Sequence, residues 1–267
     1  MRVKVALRNG ADRLRRRAVI ATGTVEPDGQ SPTFGMGGRS SIQEGSYTIS
    51  NHHPFYYLMP LDQADAAASR ERAWAALEDY HEHRDPEAQN PEANRVSRWI
   101  VEEVLAPLNA ATFLEVGCGA GRNLKWLAKT LPEAEFTGFD VHDEALERAA
   151  SAVPGASLHL HSAYQLDRYP DSSFDVVYSV GVLEHLPHER VEGVVREMHR
   201  VASKAVVHFE LHGPSSDFDY HRYPRDYGAL YASLALDGTF EYTVFPDDDF
   251  RSAGVNFNHA LVTATLA

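Results

Sequence analysis

The sequence predicts an α/β protein built on a doubly wound, parallel sheet of seven strands covered by helices on both faces. Three observations predict it. From residue 111 onward, short apolar runs alternate with amphipathic stretches of helical spacing. A glycine cluster joins the first such run directly to the first such stretch. The chain has 267 residues and 43% apolar content, ample for a core.

Taken in order, residues 1–66 read as an N-terminal extension. Arg2–Leu7, Ala18–Val25 and Tyr47–Ser50 look like short strands around a Gly/Ser/Pro-rich loop, Pro27–Gly45. Two readings stay open there: a segment without fixed structure, or a small β-appendage that packs on the core or builds a homodimer contact. Residues 67–108 read as cap helices. Trp74, Leu77 and Tyr80 fall at helical spacing, and Pro91 opens a second helix running to Leu105. Residues 109–267 form the core domain.

The core is organised around Ala111–Asp140, ATFLEVGCGAGRNLKWLAKTLPEAEFTGFD. Thr112–Val116 is too short for a helix and is closed by glycine, so it reads as a buried strand. Beyond Gly121, Leu124, Leu127 and Leu131 continue at helical spacing, and a second strand, Glu135–Phe139, ends on Asp140. Strand, glycine turn, helix, strand and acid make the half-module that holds a nucleoside-type cofactor. Its glycines admit backbone N–H groups to the ligand, and the helix N-terminus favours an anionic group. Further along, Asp143–Val153, Glu189–Val201 and Asp226–Leu236 read as helices. Ser157–His161, Ser173–Val180, Lys204–Leu211, Phe240–Phe245 and Asn258–Ala264 read as strands.

Charge and composition narrow the class. A formal charge of −13 and a pI near 5.5 disfavour a nucleic-acid footprint, which needs a basic surface. The single cysteine, Cys118, excludes an internal disulfide and makes a cytoplasmic setting the default. It lies in the glycine turn, where a small residue is wanted, so no catalytic thiol is expected. No apolar run reaches membrane-spanning length. The basic cluster at residues 13–17 is followed by too few apolar residues for a secretory leader.

A dinucleotide fingerprint, G-x-G-x-x-G, would need glycine at position 122, which is Arg122. The run is instead Glu115-x-Gly117-x-Gly119-x-Gly121. This resembles the first motif of the class I S-adenosylmethionine-dependent methyltransferases, whose Rossmann-like, mostly parallel sheet implies that the last two strands form a hairpin setting one C-terminal antiparallel strand into it; a flavin or nicotinamide enzyme is the competing reading. The resemblance spans Ala111–Ala267 and is most specific through the fourth strand of the sheet. It implies S-adenosylmethionine as cofactor, with Gly117, Gly119 and Gly121 lining the methionine moiety, Glu115 organising it and Asp140 taking the ribose. Ser162 and Ala163 stand where the family reads the adenine edge, although serine replaces the acid often found there. Ser179 opens the segment that in the resembled enzymes faces the methyl group. Metal-binding relatives carry Glu-x-x-Glu-His here; Gly181 replaces the first acid, so no metal is expected.

Methyl transfer to a hydroxyl or ammonium needs a proton acceptor, and imidazole titrates in the right range. His185 follows the fourth strand of the sheet. His208, Glu210 and His212 share one side of the fifth, by strand alternation, at the end where open α/β sheets bind ligands. His185, His208 and His212 are therefore the candidate bases. The aromatic and cationic stretch Tyr220–Tyr227 suits an acidic or sugar-like acceptor. Its Arg225-Asp226-Tyr227 piece resembles methylases associated with pseudaminic acid biosynthesis. The sequence thus points to methylation of oxygen or nitrogen on a small molecule, a sugar or a secondary metabolite. The rivals are methylation of RNA or protein, which a basic cleft would favour, and a non-catalytic cofactor-binding protein.

Overall fold

The computed structural model describes residues 91–213, 223–234, 236, 238–245 and 259–266, the helical positions 71 and 75, and four short strands nearer the N-terminus. Those strands, β1 (Lys4–Ala6), β2 (Ser41–Glu44), β3 (Tyr47–His52) and β4 (Phe55–Pro60), form an antiparallel sheet in the order β1-β4-β3-β2. Two sequence expectations are corrected here. Ser41–Glu44 lies in the stretch read as loop, and Phe55–Pro60 was not read as a strand at all. Serine and glycine around the first hid it, whereas pairing with β3 decides it. The expected strand at Ala18–Val25 lies outside the described residues, as does most of the first cap helix.

Helix α1 begins at Pro91, whose missing N–H costs nothing in a first turn, and runs to Trp99. The path stays helical to Leu105 but widens, with the Ala106 N–H bonded to the Val101 carbonyl. This wide turn coincides with complete burial of Ile100, Val101 and Leu105 against the sheet.

The main sheet contains β5 (Thr112–Val116), β6 (Glu135–Asp140), β7 (Ser157–Leu160), β8 (Phe174–Val180), β9 (Ala202–Leu211), β10 (Thr239–Phe245) and β11 (His259–Thr265). Its order is β10-β11-β9-β8-β5-β6-β7. Strands β5 to β9 pair in parallel, and β11 runs antiparallel to both β9 and β10. Seven strands with one antiparallel member are what the sequence predicts. The connecting helices are α2 (Arg122–Thr130), α3 (Asp143–Ala152), α4 (His188–Val201) and α5 (Tyr227–Leu234).

Strand alternation sends neighbouring residues to opposite faces, and helices cover both. On one face Phe113, Val176, Tyr178, Val207 and Phe209 pack with Ile100, Leu105, Leu124, Leu127 and Leu146. On the other, Leu114, Val116, Val177, Val206 and Val262 meet Val191, Val195, Met198, Tyr227 and Tyr231. Each wholly buried aliphatic or aromatic side chain contributes about 1.5–3 kcal/mol. Central β5 and β8 are held from both sides, so the loops at their C-terminal ends start from a rigid base.

Candidate active site

The turn after β5 is pinned from the neighbouring strand. The Cys118 N–H donates to the Phe139 carbonyl at 2.9 Å, and the Gly119 N–H donates to Asp140 Oδ2 at 2.8 Å. Asp140 Oδ1 accepts the His142 N–H at 3.0 Å, and His142 Nδ1 caps α3 by accepting from Ala145. Each carboxylate oxygen keeps a second lone pair for a hydroxyl. Burial raises the Asp140 pKa, and the Gly119 and His142 amides pull it back.

Two glycines in the turn are required for different reasons. Gly117 has φ +68°, and a Cβ there would lie 2.6 Å from Val182 Cγ2, so the turn closes onto the loop after β8. Gly119 has φ +52°, and among the described residues a Cβ would meet nothing within 4 Å. Its side faces open space, as Gly181 does across the sheet edge. Open space beside a turn that feeds the N-terminus of α2, next to an acid at the end of β6, fits a nucleoside with a charged tail.

Glu115 does not reach that space. It is 1% exposed; Oε1 accepts from Asn123 Nδ2 at 2.6 Å and Oε2 from the Tyr178 hydroxyl at 3.0 Å. Burial pushes its pKa up to about 8, against the lowering effect of those two bonds. Glu115 therefore braces the turn from beneath by tying β5 to β8 and α2. Cys118 is buried and its thiol pKa is raised by burial, consistent with packing rather than reactivity.

At the end of β7, His161 stacks on Phe139 with ring centroids 4.0 Å apart, and its Nε2 lies 2.8 Å from the Tyr169 hydroxyl. Ser162 starts a short helical turn, Ala163–Arg168, through a capping box with Gln165. Its Oγ accepts from the Tyr164 N–H and donates to Glu71 Oε2 at 2.9 Å. The Ser162 proton is thus committed to another side chain, and Ala163 offers no polar group beyond its backbone.

The expectations for the β8–β9 side need correction. Ser179 is fully buried, with Oγ 2.9 Å from His208 Nδ1 and 2.8 Å from Glu210 Oε1. It cannot present its hydroxyl to the cleft. His208 is also fully buried beside Tyr231, and burial drives its pKa down to about 3. The shared side of β9 is real, but α5 covers it at His208. His212 contacts Tyr242, whose hydroxyl is 2.6 Å from Nδ1. His208 and Glu210 thus meet at Ser179 Oγ, while His212, one residue past β9, lies apart from them against Tyr242.

Glu210 supports the turn carrying His185. Glu210 Oε2 accepts the Val182 N–H at 2.9 Å and the Glu184 N–H at 3.3 Å. Glu184 Oε2 in turn accepts the Leu211 N–H at 3.0 Å. Arg225, 4% exposed, donates to the Leu183, Leu186 and Tyr223 carbonyls. A carboxylate holds the amides of the turn and a guanidinium holds its carbonyls. Burial and the neighbouring Glu184 carboxylate push the Glu210 pKa up to about 8. His185 sits in this turn, 8% exposed, with Nε2 3.8 Å from Glu184 Oε1. Arg225, read from sequence as part of an acceptor-binding stretch, is an internal strut; Asp226 Oδ1 accepts the Ala229 N–H in the first turn of α5.

Sequence reasoning missed Asn123, Tyr178 and Glu71. For Asn123 and Tyr178 a signal existed, since each is a polar group within an otherwise apolar buried face. Among the described residues no cluster of three or more His, Cys, Asp or Glu side chains has the arrangement of a metal site. No described helix is long and apolar enough to cross a membrane.

A doubly wound sheet with a pinned glycine turn and an acid on the adjoining strand defines a nucleoside-binding α/β domain. Residues 113–205 match a family model described as a methyltransferase domain. That segment is similar to the methyltransferase domains of the class I, S-adenosylmethionine-dependent kind. Sterol 24-C-methyltransferase erg-4 of Neurospora crassa is 32% identical over 93 residues, covering 33% of this chain and 24% of the relative. O-methyltransferase cnsE of Penicillium expansum is 29% identical over 132 residues, covering 46% and 47%. The chain thus spans about a quarter to a half of the length of these curated relatives. Magnesium protoporphyrin IX methyltransferase (ChlM) of Synechocystis PCC 6803, solved with bound SAM, shares the fold with a TM-score of 0.51 at 14% identity, covering 66% of this chain and 81% of that one.

Proposed function

We propose that this protein transfers a methyl group from S-adenosylmethionine to an oxygen or nitrogen of a small molecule, of the sugar or secondary-metabolite class. The observation that carries it is the Gly119–Asp140 hydrogen bond, which sets an open glycine turn and an acid on one sheet edge. The match of residues 113–205 to a methyltransferase domain supports the same reading, as do relatives named for methylation of small molecules and the acidic charge of the chain.

Gly117, Gly119 and Gly121 hold the methionine end against the α2 N-terminus, and Asp140 accepts from the ribose. When bound, S-adenosylmethionine supplies a methyl group on a positively charged sulfur. The chain positions an acceptor in line with it, and positioning can supply about 7–11 kcal/mol of the barrier. His185 takes the proton of a hydroxyl or ammonium acceptor. Of the three candidate histidines it alone lies on the turn that packs on Gly117 through Val182.

The test uses S-adenosylmethionine bearing a deuterated methyl group, offered with a metabolite extract, total RNA and a protein lysate. Deuterium is expected in the metabolite fraction. Label confined to RNA or protein would overturn the acceptor class. Failure to bind S-adenosylhomocysteine in calorimetry, with NAD bound instead, would overturn the whole reading.

A further inference from the structure

Glu71 lies far upstream of the cofactor turn in sequence, yet its carboxylate reaches the end of β7. Its Oε2 accepts from Ser162 Oγ at 2.9 Å. Ser162 has one hydroxyl proton and gives it to Glu71, while its oxygen accepts from the Tyr164 N–H. Its own N–H is bonded to Gln165 Oε1 at 3.1 Å. So Ser162, 5% exposed, has no donor left and little acceptor capacity for a ligand. A carboxylate is different. Each of its oxygens accepts two hydrogen bonds, so Glu71 can hold Ser162 and still receive another N–H.

The position decides which N–H. Parallel strands lie about 4.8 Å apart, and a purine ring attached to a ribose at β6 spans that step to β7. Asp140 pairs with Leu160 across β6 and β7, and the His161 N–H donates to the Asp140 carbonyl at 3.1 Å. Ser162 is therefore two residues beyond the register partner of the ribose-binding acid. The flat surface of His161 stacked on Phe139 lies at the same place. The edge amine of an adenine is a donor, and of the two side-chain acceptors tied to Ser162, Gln165 Oε1 and the Glu71 carboxylate, the carboxylate is the charged and stronger one.

We propose that Glu71, brought in from the N-terminal cap segment, accepts the 6-amino group of adenine and makes the cofactor site selective for amino-purine nucleosides. This rests on the S-adenosylmethionine reading above. It makes Glu71 part of the wall of the cofactor site, and Ser162 the anchor that orients Glu71 rather than a direct reader of the base.

The test is a double-mutant cycle by calorimetry on the full chain. One ligand is S-adenosylhomocysteine; the other is the homocysteine conjugate of purine riboside, identical except that hydrogen replaces the 6-amino group. The unsubstituted protein should prefer the amino form about 10–100-fold, the range of a hydrogen bond to a charged group. In Glu71→Ala the preference should vanish, because the amino form loses affinity and the hydrogen form does not. Glu71→Gln, which still offers an oxygen to Ser162, should show a reduced preference. Equal weakening of both ligands in Glu71→Ala would show that Glu71 only supports the loop, and unchanged affinity for both would show no contact; either overturns the inference. If the unsubstituted protein binds neither ligand, it is the cofactor reading that falls.

Discussion

The carboxylate of Asp140, at the end of β6, accepts the amide of Gly119, in the turn after β5, at 2.8 Å. The acid and the glycine turn are therefore one unit, and a change in either is felt by the other. The same carboxylate orders the entry to α3 through His142.

Asp140→Ala should weaken S-adenosylhomocysteine binding by about 1.5–3 kcal/mol, the scale of a hydrogen bond to a charged group. Part of that loss comes from releasing Gly119. Asp140→Asn retains one acceptor oxygen and should fall between. Titration calorimetry measures both, and an unchanged Kd in the alanine variant removes Asp140 from the ribose.

The two glycines separate folding from binding. Gly117→Ala places a Cβ within 2.6 Å of Val182 at φ +68°, so it should lower thermal stability sharply. Gly119→Ala meets no neighbour among the described residues, and its left-handed φ of +52° costs about 1–2 kcal/mol. Its methyl group would nevertheless occupy the open space beside the turn. Thermal denaturation should therefore rank Gly117→Ala as the more damaging, while Gly119→Ala loses cofactor affinity out of proportion to its stability. Normal affinity in Gly119→Ala would mean that the cofactor lies elsewhere.

Stability should pass through a maximum in mildly acidic solution. Glu115 and Glu210 have folded pKa values raised to about 8, so between about 4.5 and 8 the native state holds more protons than the unfolded chain. Stability then falls as pH rises through that window. His208 and His199 run the other way. Burial lowers them to about 3 and about 4, so the unfolded chain binds the extra protons below 6.5 and stability falls on acidification. The two effects oppose each other between about 4.5 and 6.5, which leaves the carboxylates in control above it. Glu115→Gln should flatten the limb between pH 6.5 and 8, an effect on the order of a few kcal/mol. Denaturant melts across pH measure it, and an unaltered slope would show that Glu115 is ionised in its buried site.

Once a labelled acceptor is identified, His185→Ala should lower kcat by about 10²–10⁴-fold with cofactor affinity nearly fixed. His208→Gln should lower stability and leave kcat of the folded enzyme within a few-fold, since the imidazole is sealed against Tyr231. Turnover should persist in EDTA, because Gly181 stands where the metal-binding relatives place an acid. Loss of activity on chelation, restored by magnesium or zinc, would contradict this.

The sequence by itself determined the main sheet, the glycine turn, the acid at the end of the adjoining strand and the class of cofactor. Those features are written in local spacing: alternation of strand and helix, glycines two apart, and an acid at a strand end 19 residues after Gly121. Local spacing carries them because a turn and its flanking elements are decided within a few residues. Only the tertiary structure decided where the polar side chains went. Glu115 found Tyr178, and Ser162 found Glu71, across separations of 63 and 91 residues. Glu210 and Arg225 gripped opposite poles of the His185 turn. Strand alternation placed His208, Glu210 and His212 on one side, but α5 buries the first of them completely. Which face a residue takes follows from period alone, whereas what covers that face depends on elements packed later in the chain.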